Sequence, residues 1–122
     1  MRILFIDDDH TINHFHKIIL GGFDQPIEEK RFFQVPEQAL DYLLIEQEGN
    51  TFPDVIFLDL NMPRMDGWEF LKAYEEKSIK RTKIIILSTS ENPVHKQKAA
   101  ANDLVYDFVS KPLDLEYLST LF

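Results

Sequence analysis

Five side chains set the chemical question: Asp7, Asp8, Asp59, Ser88 and Lys111. Each follows a short, mostly apolar run. Ile3–Ile6 leads into Asp7-Asp8-Asp9, and Val55–Leu58 leads into Asp59. Lys83–Leu87 leads into Ser88-Thr89-Ser90, and Tyr106–Ser110 leads into Lys111-Pro112. Carboxylates gathered in one place repel one another and stay ionised together only around a cation. Oxygen donors without His or Cys select a hard ion, and Mg²⁺ usually keeps several waters in such a site. A cation, an ammonium and a hydroxyl together suit an anion, and a phosphoryl group fits. A carboxylate can also accept a phosphoryl group, forming an aspartyl phosphate. Asp59 is the better-placed nucleophile, because it stands alone at the end of the run that reads as the central strand. Catalysis would then consist mainly of positioning and charge neutralisation.

The elements that must position these groups follow from pattern and punctuation. Val55–Asp59 reads as a strand buried on both faces, broken by the turn residues Asn61, Pro63 and Gly67. Ile3–Ile6, Lys30–Val35, Lys83–Leu87 and Tyr106–Ser110 read as four further strands. Helices are predicted between and after them. The first carries Ile12, Phe15 and Ile19 at helical spacing and stops at Gly21-Gly22; the second opens at Pro36 and carries Leu40, Leu43 and Leu44. The third opens near Gly67 with Trp68, Leu71 and Tyr74 as its apolar positions. The fourth opens at Asn92-Pro93, a cap followed by a first-turn proline, and has only a weak apolar stripe from Val94 to about Ala101. The last carries Leu115, Leu118 and Phe122. Strictly alternating strands and helices imply a doubly wound α/β fold, a parallel sheet covered on both faces. In the strand order 2-1-3-4-5, the four polar strand ends share one crevice at the C-terminal edge, where open α/β sheets bind ligands.

Composition bounds the rest. The chain has 122 residues, 44% of them hydrophobic, enough for one domain with a real core. It contains no cysteine, which removes disulfides, thiolate metal sites and a Cys nucleophile, and suits a reducing cytoplasm. A net charge of −8 repels a phosphate backbone, so nucleic acid is excluded as an expected partner. No apolar run approaches the ~20 residues of a membrane span, and the start is unlike a signal peptide, so no membrane role is expected.

With these pieces in order, the sequence resembles a response-regulator receiver domain over essentially its whole length, residues 1–122. The resemblance rests on Ile3-Leu4-Phe5-Ile6-Asp7-Asp8, on Asp59-Leu60-Asn61-Met62-Pro63-Arg64-Met65-Asp66-Gly67, on Leu87-Ser88 and on Lys111-Pro112. It implies a flavodoxin-like (βα)5 fold. Asp59 would be the phosphoacceptor, charged by a sensor histidine kinase or a histidine phosphotransfer protein. Asp8 and Asp59 would hold Mg²⁺ through their side chains, with the Asn61 backbone carbonyl; Asp7 would act mainly through a metal-bound water. Lys111 would pair with the phosphoryl group, next to a cis bond to Pro112. Ser88 would swing toward a phosphoryl oxygen, and Phe108 matches the switch aromatic. The fourth helix, fifth strand and fifth helix would form the face that meets a downstream protein target. Asn61 and Ser90 occupy the two positions that tune phosphoryl lifetime, including slow self-catalysed hydrolysis. The chain departs from the family where Ser88 replaces a frequent Thr and Phe108 a frequent Tyr. The segment Asn102-Asp103-Leu104-Val105 lacks a usual Gly-Ala pair. Tyr106, two residues before Phe108, is expected on the same face by strand alternation.

Other readings stand beside this one. Asp7-Asp8-Asp9-His10-Thr11 satisfies the signature of a haloacid-dehalogenase-type phosphatase, with Asp7 as nucleophile and Asp9 as general acid. No later strand carries the acidic pair such an enzyme needs for its metal. A pseudo-receiver scaffold would ordinarily lack one of the acids or the lysine, and none is missing. Asp9 alone reads as a helix cap. Asp66-Gly67 is mainly turn chemistry. His10 and His14 are spaced four apart but lack a third ligand, and His16 and His95 carry no signal. Trp68 reads as packing, and Lys96 and Lys98 as a solvated face. With Met1 at its start and no output segment up to Phe122, the chain reads as a free-standing receiver, with a domain excised from a longer protein as the alternative.

Overall fold

The apolar runs Ile3–Ile6, Val55–Leu58 and Ile84–Leu87 become the buried central strands of a parallel sheet. A computed structural model describes residues 1–122, with the elements β1 (Arg2–Ile6), α1 (His10–Gly21), β2 (Glu29–Phe33), α2 (Pro36–Glu46), β3 (Val55–Leu58), α3 (Gly67–Glu76), β4 (Lys83–Ser88), α4 (Pro93–Ala100), β5 (Val105–Ser110) and α5 (Leu115–Ser119). All five strands are parallel, in the order β2-β1-β3-β4-β5. Every residue of β3 is buried, as a central strand covered on both faces requires.

Strand alternation sorts the core into two layers. Leu4, Ile6, Ile56, Leu58, Ile84 and Ile86 face α2, α3 and α4, meeting Leu40, Leu43, Phe70, Leu71, Tyr74 and Ala99. Ile3, Phe5, Val55, Phe57, Ile85 and Leu87 face α1 and α5, meeting Leu20, Leu118 and Leu121. Fully burying such a side chain contributes about 1.5–3 kcal/mol. No helix is long and apolar enough to cross a membrane.

Local chemistry opens the helices as the sequence implies. Asp9 caps α1 by accepting from the Thr11 and Ile12 N–H groups at 2.9 and 3.3 Å. Pro36 and Pro93 occupy first-turn positions, and Asn92 caps α4. Asp66 and Glu69 form a reciprocal capping box on α3, accepting from each other's N–H at 2.8 and 3.0 Å.

Four expectations need correction. β2 ends at Phe33 rather than Val35, because its partner β1 ends opposite it at Ile6 and Gln34-Val35 turn into α2. The inward face of α1 is Asn13, His16 and Leu20, whereas Phe15 and Ile18 are 46% and 62% exposed. At the C-terminus Leu121, not Phe122, is the buried residue. A register shift between Ile84 and Ile85 places Tyr106 as an extra residue in β5. Simple alternation therefore fails there. Phe108 packs on the α2–α3–α4 layer, while Tyr106 is 57% exposed with Lys83 Nζ 5.1 Å from its ring centre.

Candidate functional site

The register of the sheet brings the strand ends together. Ile6 lies opposite Leu58, and the Asp59 N–H donates to the Ile6 carbonyl at 3.0 Å, so Asp7 and Asp59 leave adjacent strands side by side. Leu58 lies opposite Ile86, and Ser88 opposite Ser110. The Lys111 N–H then donates to the Ser88 carbonyl at 3.0 Å. A parallel ladder thus delivers two acids and a lysine to one edge without help from their side chains.

The side chains converge. Lys111 Nζ lies 2.5 Å from Asp7 Oδ2 and 3.1 Å from Asp59 Oδ1. Asp7 and Asp59 are 5% and 6% exposed. Carboxylate oxygens of Asp7, Asp8 and Asp59 lie within 4.8 Å of one another. They open into a crevice of about 380 Å³ to which Asn61, Ile12 and Thr89 also contribute.

This geometry sets the electrostatics. Burial, and then the charge on Asp7, push the Asp59 carboxyl above its ordinary value, although Lys111 and the Asn61 N–H oppose that rise. Burial works against the Lys111 ammonium, but hydrogen bonding to Asp7 and the charges of Asp59 and Asp7 together outweigh it and hold it protonated. One lysine faces three acids. The excess negative charge, on oxygen donors alone, is the donor set that suits a hard divalent cation such as Mg²⁺.

The remaining residues fall into place around this cluster. Lys111-Pro112 is a cis peptide, in line with the resemblance. Ser88 is fully buried, and its hydroxyl accepts from the Ser90 N–H at 3.1 Å, so Thr89 and not Ser88 lines the crevice. Ser90 Oγ lies 2.6 Å from His95 Nδ1. His95 sits against Trp68, with ring centroids 6.3 Å apart, and Lys98 Nζ lies 4.6 Å from the Trp68 ring centre. Trp68 is therefore half-buried packing that carries a cation, and Lys98 is not purely solvated. Gly67 is needed for close approach: a Cβ there would lie 2.7 Å from the Asp59 carbonyl oxygen. His10 and His14 are exposed and share a separate cleft with Gln34 and Gln38, and no third His, Cys, Asp or Glu joins them.

Two residues were missed by the reading of the sequence. Asn13 donates from Nδ2 to the Asp7 carbonyl at 2.9 Å, and His16 Nε2 accepts from the Leu113 N–H at 3.0 Å. The available signal was spacing: Asn13, His16 and Leu20 stand at i, i+3 and i+7, the period of one helix face.

Known proteins agree with this geometry. Residues 3–122 match the family model of the response regulator receiver domain. The probable methanogenesis regulatory protein FilR2 of Methanothrix harundinacea is 34% identical over 124 residues, covering 95% of this chain and 75% of that protein. A two component response regulator from Cytophaga hutchinsonii has a TM-score of 0.88 at 29% identity, covering 98% of this chain and 92% of that one. The phosphorylated cyanobacterial phytochrome response regulator RcpA has a TM-score of 0.76 at 26% identity, covering 98% of this chain and 86% of that one. The chain, with five parallel strands ordered 2-1-3-4-5 and its acids and lysine at their C-terminal ends, belongs to the response regulator receiver domains of two-component systems.

Proposed function

We propose that this domain takes a phosphoryl group onto Asp59 from the phosphohistidine of a sensor histidine kinase or histidine phosphotransfer protein, and so switches a surface for a downstream protein. One observation carries the reading. The buried Asp59 carboxylate stands 3.1 Å from the Lys111 ammonium, inside an acidic cluster whose charge that lysine alone does not balance.

In the transfer, an Asp59 carboxylate oxygen forms a bond to phosphorus as the phosphorus–nitrogen bond of the donor breaks. The electron pair leaves with the imidazole nitrogen. Lys111 offsets charge on the phosphoryl oxygens and keeps Asp7 and Asp59 from repelling each other further. Asp8 and Asp59, with the Asn61 backbone carbonyl, would hold Mg²⁺, and Asp7 would hold a water bound to it. Mg²⁺, when bound, supplies charge neutralisation for the incoming phosphoryl group. Ser88 leaves its hydrogen bond with Ser90 to donate to a phosphoryl oxygen. Phe108, half-buried against the α4 side, follows it inward. That movement alters the face made by α4, β5 and α5, where α4 buries only Ala99 and so holds its place weakly. Asn61 and Ser90 stand at the two positions that would tune the lifetime of the aspartyl phosphate, and neither supplies a carboxylate base. The absence of cysteine fits a cytoplasmic setting.

Intact-mass spectrometry tests this reading. The wild type, Asp59→Asn and Asp7→Asn are incubated with acetyl phosphate, with Mg²⁺ and with EDTA. A gain of one phosphoryl group in the wild type, dependent on Mg²⁺ and absent in Asp59→Asn, is the expected result. A folded wild type that takes no phosphoryl group and binds no beryllofluoride contradicts it and favours a phosphorylation-independent scaffold.

A further inference from the structure

The phosphoacceptor reading uses the strand ends but gives no role to the inner face of α1. His16 there is 1% exposed and stacks on Phe5 with ring centroids 5.2 Å apart. Its Nε2 accepts from the Leu113 N–H at 3.0 Å across 97 residues of sequence. Since Nε2 accepts, the neutral ring carries its proton on Nδ1. Neutrality is also what the setting enforces: burial, and then the Lys111 charge, hold His16 down to about 4. One turn earlier, Asn13 is 5% exposed and donates to the Asp7 carbonyl at 2.9 Å. Asn13 Oδ1 and His16 Nδ1 are both buried, with no hydrogen-bond partner of their own. One is an acceptor, the other a donor, and they stand three residues apart on one helical face.

These contacts reach both flanks of the acid–lysine cluster. Asn13 holds Asp7 itself, and His16 holds the second residue after Lys111. Beyond β5 the backbone is tied at the Lys111 N–H, which donates to Ser88, and next at the Leu113 N–H; Pro112 between them has no N–H to offer. The side chain of Leu113 is fixed in the core at 2% exposure. The position of the Lys111 stem therefore depends on these two backbone ties. An apolar residue in place of His16 would leave the Leu113 donor buried and unpaired, a state the loop escapes by moving.

We propose that His16, seated on α1 beside Asn13, is a positioning residue that sets Lys111 against Asp7 and Asp59 by accepting the Leu113 N–H. Its kinetic consequence rests on the phosphoacceptor reading of Asp59. The geometric claim does not.

The test compares the wild type, His16→Phe and His16→Gln. Phe keeps a ring on Phe5 and loses the acceptor; Gln keeps an acceptor. For each, the rate constant for phosphoryl uptake from acetyl phosphate at saturating Mg²⁺ and the Mg²⁺ dissociation constant are measured. His16→Phe is expected to slow uptake by about tenfold, the effect of about 1.4 kcal/mol on a barrier, without weakening Mg²⁺ binding, because a displaced ammonium leaves Asp7 and Asp59 no less able to attract the cation. His16→Gln is expected to recover most of the rate. A folded His16→Phe protein with wild-type uptake overturns the proposal, as does a parallel loss of rate and Mg²⁺ affinity, the mark of general loosening. If the wild type takes no phosphoryl group, the Asp59 reading fails by itself. In that case, or if His16→Phe does not fold, nitrogen NMR on the wild type decides. Coupling across the hydrogen bond from the Leu113 N–H to an unprotonated His16 Nε2 supports the proposal, and a proton on Nε2 overturns it.

Discussion

Acidification should weaken this fold through His16, and the effect has a worked size. The free imidazole titrates near 6.5, whereas burial and the Lys111 charge hold His16 down to about 4 in the folded protein. Between those values the unfolded chain binds a proton that the folded chain refuses. Stability therefore falls as pH drops below the unfolded value and stops falling, on this account, once pH passes the folded value. Linkage over that interval gives a loss of about 2 kcal/mol at about pH 5 and about 3 kcal/mol at about pH 4. Asp59 acts in the opposite sense. Its folded value is raised by burial and then by the charge of Asp7, so its protonation on acidification adds stability. The informative quantity is thus the difference between two proteins. Urea unfolding of the wild type and His16→Phe, followed by circular dichroism at a series of pH values, isolates the histidine contribution. The wild type should lose about 2 kcal/mol more than the variant between neutral pH and about pH 5. Parallel losses in the two proteins would show that His16 is protonated freely in the native state. That result would refute the buried, neutral assignment.

Other perturbations follow from the same geometry. Gly67→Ala forces a Cβ against the Asp59 carbonyl oxygen, so denaturant unfolding should show a loss of about 1–3 kcal/mol, with weaker Mg²⁺ binding as the β3–α3 loop shifts. Asp59→Asn should melt at a higher temperature than the wild type in EDTA, because burial and Asp7 disfavour the ionised acid. Mg²⁺ at about a hundredfold its dissociation constant should stabilise the wild type by about 2.7 kcal/mol in the same melting assay, and Asp59→Asn by less. Asp66→Ala removes the capping box of α3 and should cost about 1 kcal/mol by urea unfolding.

What could be read from the sequence and what could not divide along a physical line. The central strands of the parallel sheet are apolar because both faces are covered, so their ends, and with them Asp7 and Asp59, stood out from local pattern alone. Lys111, in contrast, follows the part-exposed edge strand β5 and was marked by the Pro112 that closes it. The inner face of α1 did not. Choosing apolar residues at helical spacing selected Ile12, Phe15 and Ile19. The helix instead buries Asn13 and His16, whose partners are the Asp7 carbonyl and an N–H 97 residues away. A buried polar residue is allowed by its partner, and a distant partner leaves no local trace. Tyr106 was misplaced for a related reason: the extra residue in β5 is a property of its pairing with β4, not of its own sequence. Ser88 was placed at the correct strand end, but its hydroxyl turns to the Ser90 N–H, a choice made by the loop that follows it.

The proposed phosphoacceptor is Asp59 and not the neighbouring acid Asp7. Treating the acetyl-phosphate-charged protein with borohydride reduces an acyl phosphate to an alcohol at the residue that bore it, and peptide mass spectrometry then locates the change. Conversion of Asp59 to homoserine, dependent on Mg²⁺ and absent without the phosphodonor, is the expected result. Conversion at Asp7 with Asp59 untouched would contradict it, and would point to the phosphatase chemistry in which Asp7 is the nucleophile.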